Sequence, residues 1–238
     1  MNAGASPNPN AAELRIAGLT RLSTCDWPGE LVATIFCQGC GWDCLYCHNP
    51  GLRPMESDSR ITWSEVLAFL ESRKGLLDGV VFTGGEATLQ AALPAAVKVV
   101  REMGFRTGLH TAGMVPERLE KVLPWLDWVG FDVKAPFDLY SRITRVPESG
   151  LLARKSLEIL LHSGVPCEVR TTVHPALLSR EDLLRIKSEL LQMGVREYAI
   201  QHFRREGTRS DELEGLSAVP WPLPEDFASG FVRFQVRQ

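Results

Sequence analysis

No apolar run in this sequence approaches the roughly 20 residues needed to cross a bilayer, so a membrane partner is not expected. Positive charge is not in excess: 26 Lys and Arg stand against 29 Asp and Glu, for a formal net charge of −3. That balance is not the basic footprint of a nucleic-acid-binding domain. There is no internal repeat and no low-complexity block. The opening stretch Met1–Ala12 is small, polar and rich in Pro and Asn. It has neither the basic n-region nor the apolar h-region of a secretory signal. It is expected to be a disordered leader to a single domain over residues 13–238, with the cytoplasm as the compartment.

Short, continuously apolar runs alternate with amphipathic ones. Leu31–Phe36, Gly79–Phe82, Phe105–His110, Trp128–Asp132, Cys167–Val173 and Tyr198–Gln201 read as strands buried on both faces, as in a parallel sheet covered by helices. Between them, helices are predicted over Thr62–Arg73, Leu89–Met103, Val115–Leu123, Leu151–His162 and Ser179–Met193. Thr62 with Glu65, and Ser179 with Asp182, have capping-box spacing. Gly104, Gly164 and Gly194 sit at helix ends. Six β–α units in 238 residues are too few for a closed eight-fold barrel of about 250 residues. The fold class expected is α/β, a partial (β/α)6 barrel open on one side. A C-terminal extension of about 207–238 ends in the alternating run Phe231–Val236, a candidate last edge strand.

Five of the six cysteines lie between Cys25 and Cys47, and four of these, from Cys37 on, directly follow the first strand read above. A disulfide scaffold would spread them out in a small secreted domain; clustering favours metal. Cys37-x2-Cys40 and Cys44-x2-Cys47 look like two zinc knuckles, but only three residues separate them. Zinc ribbons leave about 15–20. Four-cysteine ferredoxin spacings do not fit either. Cys40-x3-Cys44-x2-Cys47, with Tyr46 before the last thiol, can supply three corners of a [4Fe–4S] cluster and leave the fourth iron open. Cys37, Cys25 and Cys167 read as structural, since free cysteine often behaves as a small buried hydrophobe. Thr83-Gly-Gly-Glu86 follows the next strand; its glycines permit close backbone approach to a ligand, and Glu86 can accept from a cationic amine.

The three-cysteine motif resembles that of the radical S-adenosylmethionine (SAM) superfamily, whose partial barrel and [4Fe–4S] cluster the resemblance therefore implies. It assigns iron to Cys40, Cys44 and Cys47, and the SAM amino group to Gly84, Gly85 and Glu86. Relatives carry an Asp-x-Lys like Asp132-Val-Lys134; Lys134 is a candidate for the SAM carboxylate, or a salt-bridge partner of Asp132. Arg170 is placed to reach the same pocket, and Gln201 or His202 the adenosine half. Where relatives carry Asp-Thr-Asn-Gly, this chain has His110-Thr-Ala-Gly113. Gly18–Ser23, Asp26-Trp-Pro-Gly29, Cys47-His-Asn-Pro50, Asp132–Pro136 and Arg170–Pro175 resemble the glycyl-radical-enzyme activases, closest to the anaerobic ribonucleoside-triphosphate reductase activating group. That resemblance implies one-electron cleavage of SAM and abstraction of a glycine hydrogen from an anaerobic ribonucleotide reductase-like partner. A flavodoxin or ferredoxin would be the electron donor. Two other readings stay open here: a radical SAM enzyme acting on a small molecule, and a non-enzymatic zinc module.

Overall fold

The structure is a computed structural model of the chain and describes residues 10–56, 61–208, 213, 216 and 222–237. Eight strands form one sheet in sequential order: β1 (Ile16–Ser23), β2 (Val32–Cys37), β3 (Gly79–Gly84), β4 (Arg106–Thr111), β5 (Trp128–Asp132), β6 (Cys167–Val173), β7 (Glu197–His202) and β8 (Arg233–Arg237). β1 runs antiparallel to β2, and every later pair is parallel. β1 and β8 are the two edges and do not pair with each other, so the barrel is open as expected.

The crossovers carry α1 (Trp63–Glu71), α2 (Leu93–Glu102), α3 (Pro116–Val122), α4 (Ser141–Thr144), α5 (Ser149–Ser163) and α6 (Arg180–Met193). Both capping boxes form, Thr62 with Glu65 and Ser179 with Asp182. The helix expected over Leu89–Met103 starts later. Ala87–Leu89 is a 3₁₀ turn, and the α-helix begins only at Leu93 with Pro94 in its first turn. Proline fits there because its missing N–H has no intrahelical partner to lose. Of the expected leader, residues 1–9 lie outside the described residues. Asn10–Ala12 belong to the folded body: Asn10 caps the 3₁₀ turn Ala11–Glu13, and Ala11 is buried.

Successive strand residues face opposite sides of a sheet. On β5, Val129 and Phe131 join the core beneath the helices, while Trp128 belongs to a small second core with Trp27, Val32 and Val81. That second core lies inside the barrel. The β1–β2 loop brings Trp27 onto Trp128, with ring centroids 5.5 Å apart. Gly108 makes room: a Cβ there would come within 2.9 Å of the Trp27 ring. One loop thus closes the barrel floor, and the space above it, at the carboxyl ends of the strands, is left for the site.

Candidate active site

Each functional segment leaves the carboxyl end of a parallel strand. The cysteine loop follows β2, Gly84–Glu86 close β3, His110 and Thr111 close β4, and Asp132 closes β5. Cys37 is in register with Gly84, and Asp132 with Arg170. A cavity of about 170 Å³ results, lined by Cys40, Cys44, Cys47, Glu86, Lys134 and Arg170 among others. Nine of the ten residues expected at the site border it; His202 does not, and borders a neighbouring cavity of about 390 Å³. The two cavities share His48, His110, Asp132, Arg170 and Thr172.

The cysteine loop is held from two directions. Gly39 and Cys40 donate to the carbonyls of Leu52 and Arg53 at 2.8 and 3.0 Å, while Asp43 and Leu45 donate to Thr144 and Ile143 at 3.0 and 3.1 Å. Asp43 also pairs with Arg53 at 2.6 Å. Trp42 and Tyr46 are buried, and Trp42 meets Tyr140 edge-on at 5.9 Å. Cys37 is fully buried and does not line the cavity. Cys25 corrects the expectation of a buried structural thiol: it is exposed and borders the second cavity.

The two glycines line the cavity and also pack tightly on the cysteine loop. Gly84 has φ of +124°, and a Cβ on it would lie 2.2 Å from the Cys37 carbonyl oxygen. A Cβ on Gly85 would lie 2.3 Å from the Gly39 carbonyl oxygen. Gly85 and Glu86 donate their N–H groups to those same two carbonyls, at 3.0 and 2.8 Å. The glycines therefore clamp β3 onto the cysteine loop. Glu86 is buried and bridges β3 to β4: Oε1 accepts from the Thr88 and Thr111 hydroxyls, each at 2.7 Å, and Oε2 from the Ala112 N–H at 2.9 Å. Oε2 keeps acceptor capacity toward the cavity. Because Ala112 contributes its backbone, the departure from Asn at this position leaves the bridge intact.

Across the cavity, Arg170 crosses the face of Gly130, where a Cβ would stand 2.8 Å from its guanidinium carbon. It donates through Nε and Nη2 to Asp132 Oδ1 at 3.1 and 3.0 Å. Lys134 Nζ stands 3.8 Å from Asp132 Oδ2 and 5.6 Å from the Tyr46 ring centroid. Burial pushes the Asp132 carboxyl up, but Arg170, then Lys134, hold it below the usual aspartate range. His110 Nε2 lies 2.6 Å from the Asp26 carbonyl, a contact that requires Nε2–H. Burial, then the Arg170 charge, lower the His110 pKa to about 4. Burial raises the Cys40 thiol to about 12 and also raises Cys44. Cys40 and Cys44 therefore keep their protons at neutral pH until a metal takes their place.

The donor set fits a cluster with one open iron: three thiols on one cavity wall and no fourth cysteine beside them. Among the described residues, no three His, Cys, Asp or Glu side chains converge on one metal position, as tetrahedral zinc requires. The family model of the radical SAM superfamily matches residues 34–186. This chain belongs to the radical SAM superfamily. As for that family, its cofactors are a [4Fe–4S] cluster and SAM.

This radical SAM chain is 30% identical to a Methanocaldococcus jannaschii protein named for glycyl-radical enzyme activation, over 89% of this chain and 87% of that one. It is 31% identical to the pyruvate formate-lyase-activating enzyme of Clostridium pasteurianum, over 75% and 76% of the two chains. It is a radical SAM enzyme of the glycyl-radical-activating group. Two solved structures share its fold. TYW1 with a lysine-pyruvate adduct has a TM-score of 0.59 at 17% identity, covering 75% of this chain and 67% of that one. Streptococcus suis SuiB bound to S-adenosylmethionine has 0.56 at 13%, covering 71% and 39%. No helix among the described residues is long and apolar enough to cross a membrane.

Sequence reasoning missed the supports of the site. Tyr140 was one of them: its hydroxyl accepts from the Lys134 N–H at 3.0 Å and donates to the Asp132 carbonyl at 3.2 Å, fixing the strand end that carries both charges. The other was the Asp26–Trp27 loop, whose motif was visible but whose place inside the barrel was not.

Proposed function

We propose that this enzyme installs a glycyl radical on a partner resembling anaerobic ribonucleotide reductase. The observation that supports the reading is the second cavity, which adjoins the first and shares His48, His110, Asp132, Arg170 and Thr172 with it; the glycine-bearing segment of the partner would enter there. The motifs around Asp26, Cys47, Asp132 and Arg170 support this partner class, and relatives named for glycyl-radical activation support the reaction. When bound, the cofactors supply one-electron cleavage of SAM and a 5′-deoxyadenosyl radical able to take a hydrogen atom from glycine Cα.

The chain's own part is to bind, orient and exclude water. Cys40, Cys44 and Cys47 hold three irons. Gly84 and Gly85 fix the height of Glu86, whose Oε2 accepts from the SAM amino group. Lys134 pairs with the SAM carboxylate, and Asp132, anchored by Arg170, sets the position of Lys134. The charges of Glu86 and Asp132 balance those of Lys134 and Arg170. Gln201 or His202, both on the second cavity, would reach the adenosine half of SAM. The enzyme acts in the cytoplasm with a reduced flavodoxin or ferredoxin as electron donor.

The test is anaerobic reconstitution, reduction by flavodoxin, and addition of SAM with either anaerobic ribonucleotide reductase or pyruvate formate-lyase. A glycyl radical doublet in the electron paramagnetic resonance spectrum of the reductase supports the proposal. A doublet on the lyase alone would reassign the partner. SAM cleavage with neither doublet would favour a small-molecule substrate.

A further inference from the structure

The C-terminal strand has no part in the chemistry above, yet it walls the second cavity. Arg237 of β8 borders that cavity with Cys25 and Asp26 of the floor loop and Gln201 and His202 of β7. Among the described residues, β8 pairs only with β7. The Arg237 side chain reaches past β7 to β6, where Nη1 and Nη2 fork onto the two oxygens of Glu168 at 2.7 and 2.6 Å. Nη2 also donates to Gln235 Oε1 at 2.8 Å, and Nε to the same oxygen at 3.3 Å.

Attaching the edge strand does not require this fork. Phe231 and Phe234 already pack on Tyr198, with centroids 5.1 and 6.0 Å away, and Phe227 lies tilted against Phe234 at 5.4 Å. A carboxylate as buried as Glu168, 2% exposed, is costly unless paired. Its bidentate partner holds the guanidinium in one orientation at the cavity edge. The pairing also cancels the arginine charge, so this group does not recruit an anion. Of five N–H bonds, those formed among the described residues leave one, on Nη1. A neutralised, fixed N–H donor at the edge of a cleft suits a carbonyl oxygen.

We propose that Arg237, held by Glu168, is a positioning residue that donates to a main-chain carbonyl of the partner segment entering the second cavity. This rests on the activase reading above. The C-terminal strand then confines the segment opposite the floor loop, with its glycine presented toward the cluster wall.

The test uses the cluster-loaded full chain and the same two probes, anaerobic ribonucleotide reductase and pyruvate formate-lyase. Glu168→Gln with Arg237→Gln removes both charges together, so neither is left buried alone. Loss of one positioned hydrogen bond should weaken partner affinity, read by calorimetry before SAM is added, roughly fivefold to tenfold. KM for the partner should rise in parallel, and 5′-deoxyadenosine formed per glycyl radical should increase. Unchanged affinity and coupling would overturn the proposal. If the double variant fails to load its cluster, Arg237→Lys decides: a shift of about threefold with the cluster intact supports the role, and parental affinity overturns it. A parent that cleaves SAM but radicalises neither probe removes the activase reading and this proposal with it. A parent that activates a probe equally well with and without the fork removes this proposal alone.

Discussion

Arg170 grips a single oxygen of Asp132 through two nitrogens, at 3.1 and 3.0 Å, and leaves the second oxygen to Lys134 at 3.8 Å. One carboxylate thus serves a tight structural partner and a looser one facing the cavity. Arg170→Gln should release Asp132 from its position and lower stability by about 1–3 kcal/mol, since the Arg170 side chain is 7% exposed but Asp132 keeps partial access to solvent. Urea unfolding and SAM titration check the two consequences. Stability lost without weaker SAM binding would show that Lys134 does not depend on the pair.

Cys40→Ala, Cys44→Ala and Cys47→Ala should each lose the cluster, read as iron content and visible absorbance after anaerobic reconstitution. Cys37→Ala should retain it, because Cys37 is buried behind the cavity wall. Its cost should be packing alone, about 1–2 kcal/mol. Full occupancy in any of the first three would remove that thiol from the ligand set.

Gly84→Ala should be more damaging than its size suggests. The added Cβ meets backbone rather than a flexible side chain, 2.2 Å from an oxygen and 2.3 Å from the Cys37 nitrogen, at a φ that favours glycine. A loss of about 3 kcal/mol is expected, with cluster retention falling in step. A variant with parental melting temperature would mean that β3 can lift off the cysteine loop freely.

His110 makes the fold acid-sensitive in a defined window. Its pKa is lowered from an ordinary value near 6.5 to about 4. Between those values the unfolded chain takes up a proton that the folded one refuses, so stability falls as pH drops from about 6.5 toward 4. Burial lowers His48 and His174 as well, and they add in the same direction. The groups facing His110 are Asp26, Asp132, Trp128 and Arg170. His110→Gln keeps an N–H for the Asp26 carbonyl and should flatten melting temperature against pH in that window. An unaltered slope would place the sensitivity elsewhere.

Trp27→Ala should open the barrel floor. It removes the ring stacked on Trp128 and leaves a void against Gly108. A cost of about 3–5 kcal/mol is expected from thermal or urea unfolding. A loss under 1 kcal/mol would show that the loop is not a floor.

Much of this was legible in the sequence, for identifiable reasons. The six parallel strands are continuous apolar runs, and both capping boxes are local signals, so both were found. The cysteine spacing is short enough for one loop to deliver all three thiols. β1 was not recognised as a strand because Gly18, Thr20 and Arg21 break its apolar pattern at a half-exposed edge. The run ending the chain was recognised, but its strand is shifted to Arg233–Arg237. The packing of Gly84 and Gly85 on the cysteine loop was hidden because their neighbours, Cys37 and Gly39, are about 45 residues away in the chain. Tyr140 and the Glu168–Arg237 fork were invisible for the same reason: each depends on register between distant segments.

The hydrogen bonds from Asp43 to Thr144 and from Leu45 to Ile143 set an order of events during synthesis. All three cluster thiols are made within the first 47 residues, but the backbone that shapes their loop arrives about a hundred residues later. At 5–20 residues per second that is a delay of roughly 5–20 s, during which the cysteines belong to an unshaped and oxidisable segment. The loop can take its final form for iron only once the α4 segment has been translated, so cluster insertion waits on that segment.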